Sequence, residues 1–388
     1  MEAQSGFHGN TSEREPLLIR RVDAVPVALP LQKAMSMAGV TVDRALNILV
    51  RIEGVDGTVG WGEAASAPAM TGDTLEGLAA AVRDHLAPLL LGQDAWMRPA
   101  LCRALKRALF GNTGAHSAIE MALLDLLGRS SGLPAVDLIG GAVRSAVAPM
   151  WLLGNATPEQ DIAEAQAKRA QGFDFFKLKI GTKPVETEIA STLALRRALG
   201  PATPLCADAN CGLTFVDARR YLEGVRDAGL IFVEQPLGYD DLGALARLAR
   251  IAPMPVGADE GIHSLADIEA HARCGAGGVS LKLIKLGGMS AAMEAARLCD
   301  RLGLAVNVAA KIAESSIASA ATIHLACAVP AADWGVSLTH FYLAGDIVRN
   351  APAIGDGMVA LPTGPGLGIE VDEAQVERFR LPSAAPSG

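Results

Sequence analysis

The sequence predicts an α/β protein built on a modified (β/α)8 barrel of the TIM type, with an N-terminal α+β capping domain completed by the C-terminal segment. Three observations predict it. After about Val147, eight short apolar runs alternate with stretches of helical period. Before that point, strand-like runs are followed by helices rather than interleaved with them. At 388 residues, half of them hydrophobic, the chain is long enough for one large domain and a smaller one.

Taken in order, residues 1–16 mix Ser, Gly, Asn, Glu and Arg with no apolar stretch and read as a flexible leader. Residues 17–145 form the expected capping domain. Its strands are Ile19–Ala28, Ala45–Ile52 and Gly57–Glu63, and the last two are joined by a turn at Val55-Asp-Gly. From Thr74 to Leu138 the apolar positions take a helical spacing, as in Ala79, Val82, Leu86 and Leu89. Residues 146–345 hold the barrel, with strands expected at Pro149–Leu153, Phe175–Ile180, Pro204–Ala207, Ile231–Glu234, Pro255–Ala258, Val279–Leu283, Ala305–Val308 and Trp334–Leu338. Helices such as Pro158–Ala170 and Pro184–Leu199 lie between them. An open, doubly wound sheet is the competing arrangement. Residues 346–388 are rich in Pro and Gly, carry a short helix at Glu373–Phe379, and are expected to return to the capping domain.

Composition excludes several classes of function. A net charge of −8 and scattered lysines and arginines offer no footprint for a phosphate backbone, so nucleic acid is not an expected partner. No apolar run approaches the roughly 20 residues that cross a bilayer, so no membrane association is expected. Six cysteines without C-x-x-C spacing read as reduced thiols of a cytoplasmic protein.

In a barrel of this kind chemistry gathers where the strands end, so a polar residue closing an apolar run carries weight. The second run contains Lys177 and Lys179, two apart and therefore on one face. Adjacent like charges and burial both favour a neutral amine, which is a usable general base. The third, fourth and fifth runs close on Asp208, Glu234 and Asp259, spaced 26 and 25 residues apart, about one strand-and-helix repeat. Three converging carboxylates repel one another unless a cation lies between them, and a set of hard oxygen ligands suits Mg2+ or Mn2+. The sixth run offers Lys282 and Lys285. A separation of three does not preserve the face of a strand, and Lys282, inside the run, is the one expected to point inward, across the ring from Lys179. After the seventh run, Glu314 either orients a lysine or supplies a proton. Lys311 either meets a second carboxylate on the substrate or is a solvated loop lysine.

Each of these residues has a plainer reading alone. A lysine at a strand end is commonly a solvated charge, and Asp208 or Asp259 could cap the following helix. Two lysine-bearing strands flanking three consecutive carboxylate-ending strands are hard to assign to capping. His116, His263, His324 and His340 lack ligand-like spacing and read as structural or surface residues.

With these residues in hand, the chain resembles the enolase superfamily and, within it, the muconate lactonizing enzyme (muconate cycloisomerase) subgroup. The likeness runs from about Arg20 to Phe379. It rests on Phe176-Lys-Leu-Lys-Ile-Gly and Glu234-Gln-Pro, which are specific, and on Gly60-Trp-Gly-Glu-Ala, Gly111-Asn-Thr, Ile119-Glu-Met-Ala-Leu-Leu-Asp and Pro365-Gly-Leu-Gly-Ile. The resemblance implies an enzyme that abstracts a proton α to a carboxylate. Lys179 would be the base and Lys177 its partner, with Asp208, Glu234 and Asp259 as metal ligands and Lys282 as the opposing acid/base or charge-stabilising group. Sites of that superfamily combine a lysine or histidine base with one or two Mg2+ ions. It also implies a homo-oligomer, and a capping domain whose loops at Gln32–Arg44 and Pro68–Asp73 shape the pocket.

Muconate cycloisomerisation, racemisation or epimerisation of an N-acylated amino acid, and syn dehydration all pass through one enolate. The second-strand segment and Ala115–Gly128 look closest to the cycloisomerases, which places lactone chemistry on a small carboxylate or dicarboxylate first. Two segments depart from the cycloisomerase pattern: Val308-Ala-Ala-Lys-Ile-Ala-Glu stands for a Gly-Thr-Met-Leu-Glu type loop, and Gly335-Val-Ser-Leu-Thr-His-Phe-Tyr-Leu for a Glu-Leu-Phe-Gly-Pro type strand. Dipeptide epimerases resemble one another in an Asp-x-Asp pair that grips an ammonium, where this chain has Ser337-Leu-Thr339. A catalytically silent binding protein is the alternative from another class.

Overall fold

The computed structural model describes residues 14–37, 40–154 and 156–382. Most of the leader expected at residues 1–16 therefore lies outside the described residues. Three antiparallel strands, Ile19–Met37, Val40–Gly54 and Val59–Ala65, form the capping sheet. The buried helix Thr113–Ser131 lies against that sheet, and Gly62 is what allows it: a Cβ there would stand 1.9 Å from the Ala118 carbonyl oxygen. On its other side the helix reaches the barrel, where Glu120 accepts hydrogen bonds from Arg98 (2.7 Å) and from the Ser290 N–H (3.2 Å).

The first two cap strands are longer than the apolar pattern indicates. Residues 29–37 and 40–44, expected as part of a loop, are extended and paired, with an irregularity between Pro30 and Met35. Pro30, Gln32 and Lys33 break the alternation from which a strand is read, yet the arm is held by its landing site. Gln32 Nε2 donates to the Phe341 and Leu343 carbonyls, Lys33 pairs with Glu164 at 2.6 Å, and Met35 is buried with Trp151 and Tyr342 of the barrel. The cap thus covers the end of the barrel where the strands finish.

Eight parallel strands follow in simple sequential order: Met150–Leu153, Phe175–Lys179, Leu205–Asp208, Val233–Glu234, Val256–Ala258, Gly278–Leu281, Ala305–Ala309 and Val336–Ser337. A parallel bridge between Pro149 and Val336 closes the ring, which decides against an open doubly wound sheet. Every expected strand appears, at most a few residues shorter. Seven of the connecting segments carry a packed helix, among them Pro158–Ala170, opened by a capping box on Thr157 and Gln160. Directly after the eighth strand, where an eighth barrel helix would follow, the chain makes a 3-10 turn at His340–Tyr342. The barrel floor is apolar: Met150, Phe175, Cys206, Phe232 and Trp334 pack together, with the Phe232 and Trp334 rings stacked at 4.0 Å.

The C-terminal stretch runs back towards the cap. Met358–Ala360 pairs with Ala146–Val147, the Leu381 N–H donates to the Pro26 carbonyl, and Asp125 accepts from both the Trp61 and Leu367 N–H groups. The four histidines set aside above have structural partners. His324, for example, is fully buried between the Val136 N–H and the Leu367 carbonyl.

Candidate active site

Strand pairing assembles the site. Lys179 lies in register with Asp208, and Asp208 with Glu234, so a cation-bearing strand and two carboxylate-bearing strands end at one level. Lys177, two residues deeper on the same face, is 3% exposed. Its ammonium contacts Glu234 and lies over the Phe232 ring, with Asn307 at 3.5 Å. Lys179 Nζ lies 2.6 Å from Asp208 Oδ2 and 2.7 Å from Asn210 Oδ1. Across the barrel, Lys282 contacts Asp259 Oδ2.

The sixth strand differs from the expectation that only Lys282 points inward. Lys285, 0% exposed, also reaches Asp259: its ammonium contacts the main-chain oxygen and lies 2.6 Å from Oδ1. The strand stops at Leu281, and the chain turns through a short helix at Leu283–Leu286. A helical turn brings residues three apart onto one side, which alternation along a strand cannot do. Ser280 and Asn307 were also missed. The Ser280 hydroxyl donates to Glu234, and Asn307 spans from Ser280 (3.1 Å) to the Gly335 carbonyl (2.8 Å). Their only sequence signal is a single polar residue inside an otherwise apolar run.

The capping explanation for the aspartates does not hold. The helices after them begin at Phe215 and Leu265, and their N-caps are Thr214 and Ser264. Asp208 and Asp259 are instead buried and turned onto ammonium groups. Burial raises the Asp208 carboxyl, but Lys179 and Lys177 reverse this and hold it below the usual range. Burial raises Asp259 too, and Lys282 and Lys285 more than cancel it. For Glu234 burial prevails over Lys177, and the repulsion of Asp208 and Asp259 adds to it, so its carboxyl sits above the usual range.

The adjacency of two lysines was expected to lower an amine. For Lys177 the opposite holds: burial works against its charge, but Glu234, Cys206 and Asp208 outweigh burial and hold it above the ordinary lysine range. Lys282 is raised as well, since Asp259, Glu260 and Glu234 overcome its burial. Lys285, deepest of all, is lowered by burial.

The three carboxylates repel one another, and their all-oxygen donor set fits a hard divalent ion. Each carboxylate nonetheless spends its hydrogen bonds on neighbouring lysines, a hydroxyl or an amide. Among the described residues no three acidic, histidine or cysteine side chains stand close enough to grip an ion as placed. Lysine side chains stand beside each carboxylate: Lys179 at Asp208, Lys177 at Glu234, and Lys282 and Lys285 at Asp259. A carboxylate oxygen keeps a second lone pair, so the set can exchange an ammonium for a metal.

Beyond the seventh strand, the Lys311 N–H donates to Glu314 Oε2 at 2.8 Å. Burial, reinforced by Glu63, pushes the Glu314 carboxyl up to about 8. Glu63 comes from the capping sheet, inside the Gly60-Trp-Gly-Glu-Ala segment. It accepts from the Ser315 N–H (2.9 Å), the Ser315 hydroxyl (2.6 Å), the Ala318 N–H (3.0 Å) and Asn47 (2.6 Å), and burial pushes it up to about 7. The cap therefore touches the site through a buried carboxylate that sequence reading did not single out.

The sequence and the fold have known relatives. Residues 19–140 match the family described as "Mandelate racemase / muconate lactonizing enzyme, N-terminal domain", and residues 160–375 match "Enolase C-terminal domain-like". Muconate cycloisomerase 1 of Pseudomonas putida is 33% identical over 370 residues, covering 94% of this chain and 98% of that protein. L-Ala-D/L-Glu epimerase of Bacillus subtilis is 31% identical over 357 residues, covering 90% of this chain and 96% of that protein. The crystal structure of muconate lactonizing enzyme from Pseudomonas fluorescens, complexed with muconolactone, superposes with a TM-score of 0.91 at 30% identity, covering 95% of this chain and 100% of that one. With both halves matched and the relatives spanned nearly end to end, the chain belongs to the mandelate racemase / muconate lactonizing enzyme family.

Proposed function

We propose that this protein is an isomerase, an intramolecular lyase of the muconate cycloisomerase type, that works through an enolate α to a substrate carboxylate. The observation that carries the reading is the pair of lysines on opposite sides of the barrel mouth, Lys179 beside Asp208 and Lys282 beside Asp259, with Glu234 between those strands. In the lactonizing direction, one carboxylate oxygen of a cis,cis-muconate-like diacid adds to the far double bond and closes the lactone ring. The displaced electron pair moves onto the other carboxylate as an enolate, and Lys179 delivers a proton to the carbon next to it. In reverse, the neutral Lys179 amine removes that proton. In their acid forms substrate and product are isomers; in their ionised forms a dianion becomes a monoanionic lactone, and the one proton taken up returns to Lys179 from solvent.

Lys177, fixed by Glu234, would orient the field beneath Lys179, and Lys282 would face the opposite side of the reacting carbon. A divalent ion, Mg2+ or Mn2+, held by Asp208, Glu234 and Asp259 would stabilise the enolate charge. The arm carrying Gln32, Lys33 and Met35 would exclude water from the reaction. Six free thiols and the family relationship support a cytoplasmic homo-oligomer acting on a small carboxylate.

Racemisation or epimerisation of an N-acylated amino acid is the second reading, favoured by the two-sided lysine pair and by the epimerase relative. A free α-ammonium substrate is disfavoured, because the eighth strand ends on Ser337 with Thr339 just beyond it, neither of them a carboxylate, and the Thr339 hydroxyl is taken up by the Lys311 and Glu314 carbonyls. Incubation of the Mg2+-loaded protein with cis,cis-muconate, following loss of absorbance and appearance of lactone, tests the first reading. Inert muconate together with racemisation of an N-acyl amino acid would select the second.

A further inference from the structure

Beyond the third barrel strand the chain makes two consecutive left-handed residues, Asn210 (φ 41°) and Cys211 (φ 65°). Asparagine tolerates that conformation, so Asn210 has an ordinary structural reason to stand there. Its side chain does something the turn does not require. Asn210 Oδ1 accepts from Lys179 Nζ at 2.7 Å, and Asn210 Nδ2 donates to Glu260 Oε1 at 2.9 Å. A carboxylate accepts and an ammonium donates, so this order of partners admits one orientation of the amide, with its carbonyl towards Lys179.

Each member of the series is fixed from behind. The Asn210 N–H donates to Asp208 Oδ1 at 3.0 Å, the Cys211 N–H to the Gln235 carbonyl at 2.8 Å, and the Gly212 N–H to the Ala209 carbonyl at 2.8 Å. The chain leaving the second strand packs onto this turn: a Cβ on Gly181, two residues after Lys179, would stand 2.7 Å from the Ala209 carbonyl oxygen. Glu260 is bracketed by Gln235, whose side-chain oxygen accepts from the Asp259 N–H (2.9 Å) and the Gly261 N–H (3.3 Å).

A neutral lysine amine has two N–H bonds and one lone pair. Asp208 Oδ2 and Asn210 Oδ1, both at the end of the third strand, take the two N–H bonds and leave the lone pair in the remaining tetrahedral direction, away from both. Asp208 is shared with the proposed metal site, whereas the Asn210 amide is committed to Lys179 and Glu260. Lys282, on the opposite side of the ring, is held by Asp259.

We infer that Asn210, braced by Glu260, is a positioning residue for Lys179: it holds one N–H of the amine so that the lone pair faces the α-carbon of the substrate. The inference rests on the enolate reading and deepens it, because it makes the aim of one lysine separable from that of the other. Loss of the amide should blunt proton transfer on the face served by Lys179 and spare the face served by Lys282.

The test compares the wild type with Asn210→Gly, Glu260→Ala, Glu260→Gln and Lys179→Ala, all full length and Mg2+-loaded. Glycine accepts the left-handed turn and lacks only the amide, so a purely structural Asn210 predicts wild-type behaviour for Asn210→Gly. Proton exchange in D2O is followed by NMR at the α-carbon of muconolactone and of each enantiomer of a set of N-acyl amino acids, and Lys179→Ala identifies the face that Lys179 serves. On that face Asn210→Gly should lower kcat by about 10- to 100-fold with little change in KM, the scale expected of a misplaced reacting group, and on the other face it should stay within about two-fold. Glu260→Ala should show a smaller loss of the same one-sided kind, and Glu260→Gln, which keeps an acceptor, should restore it. Mn2+ affinity should stay within a few-fold of the wild type throughout. Unchanged exchange in Asn210→Gly, equal losses on both faces, or a loss that tracks weakened Mn2+ binding overturns the inference and leaves the enolate reading standing. Where muconolactone alone exchanges, the split between kcat and KM at intact Mn2+ affinity decides. If no carboxylate exchanges at all, the enolate reading falls, and the hold on the amine is read directly from the rate of reductive methylation of Lys179 by mass spectrometry: a faster rate in Asn210→Gly supports it, and equal rates overturn it.

Discussion

Lys179 Nζ stands 2.6 Å from Asp208 Oδ2, and the two residues are direct partners across neighbouring barrel strands. Proposed base and proposed metal ligand are therefore one mechanical unit, and the two roles separate only by substitution. Lys179→Ala should lower α-proton exchange by about 10²–10⁴-fold. Mn2+ affinity, followed by paramagnetic titration, should stay within a few-fold of the wild type. Undiminished exchange would remove Lys179 from its role.

Asp208→Asn and Glu234→Gln should weaken Mn2+ binding and activity together, and chelation of the wild type should abolish activity that Mg2+ or Mn2+ then restores. Glu234→Gln carries a further consequence, because Glu234 is the carboxylate partner of the buried Lys177 ammonium. Leaving that charge unpaired should cost about 3 kcal/mol in urea unfolding. Activity that survives chelation would exclude this metal site.

Glu63 should behave as a structural clamp rather than a participant in the chemistry. Replacing it with Ala strips an acceptor from the Ser315 N–H, the Ser315 hydroxyl and the Ala318 N–H, all buried at the start of the helix Ser316–Ala328. Each orphaned donor is unfavourable, and the total loss should be about 3 kcal/mol. An unchanged unfolding midpoint would show that the cap does not hold the barrel through this contact.

Stability of the metal-free protein should depend on pH around Glu314 and Lys311. Glu314 is raised from 4.5 to about 8, so an unfolded chain releases its proton first and stability falls as pH rises from about 4.5 to 8. Lys311 is lowered from 10.5 to about 8, so an unfolded chain keeps its proton longer and stability recovers from about 8 towards 10.5. Comparing Glu314→Gln and Lys311→Met with the wild type isolates each limb, the first flattening the fall and the second the recovery, by a few kcal/mol at most. Parallel profiles for all three proteins would show that neither group is perturbed.

How much of this was legible in the sequence follows from which physical rule governed each residue. The strands and their polar ends obeyed alternation and length, so Lys177, Lys179, Asp208, Glu234 and Asp259 were found from spacing. Lys285 escaped because the rule for strands was carried past Leu281, where a helical turn had taken over. The arm from Leu29 to Arg44 escaped because its pairing is enforced by the barrel it covers rather than by its own pattern. The charge state of the site was legible only in part. Proximity of two lysines is visible in sequence, but the buried carboxylate that reverses its effect on Lys177 lies 57 residues away. Glu63 and Ser315, 252 residues apart, meet only once the cap has docked.

The central claim is removal and return of a proton at the carbon beside a carboxylate, and solvent isotope uptake reads that step before any later one. In D2O with Mg2+, NMR of muconolactone and of N-acyl amino acids should show deuterium entering at the α-carbon with the wild type and not with Lys179→Ala. Lack of uptake into every carboxylate offered, across the pH range where the protein is folded, would contradict the account.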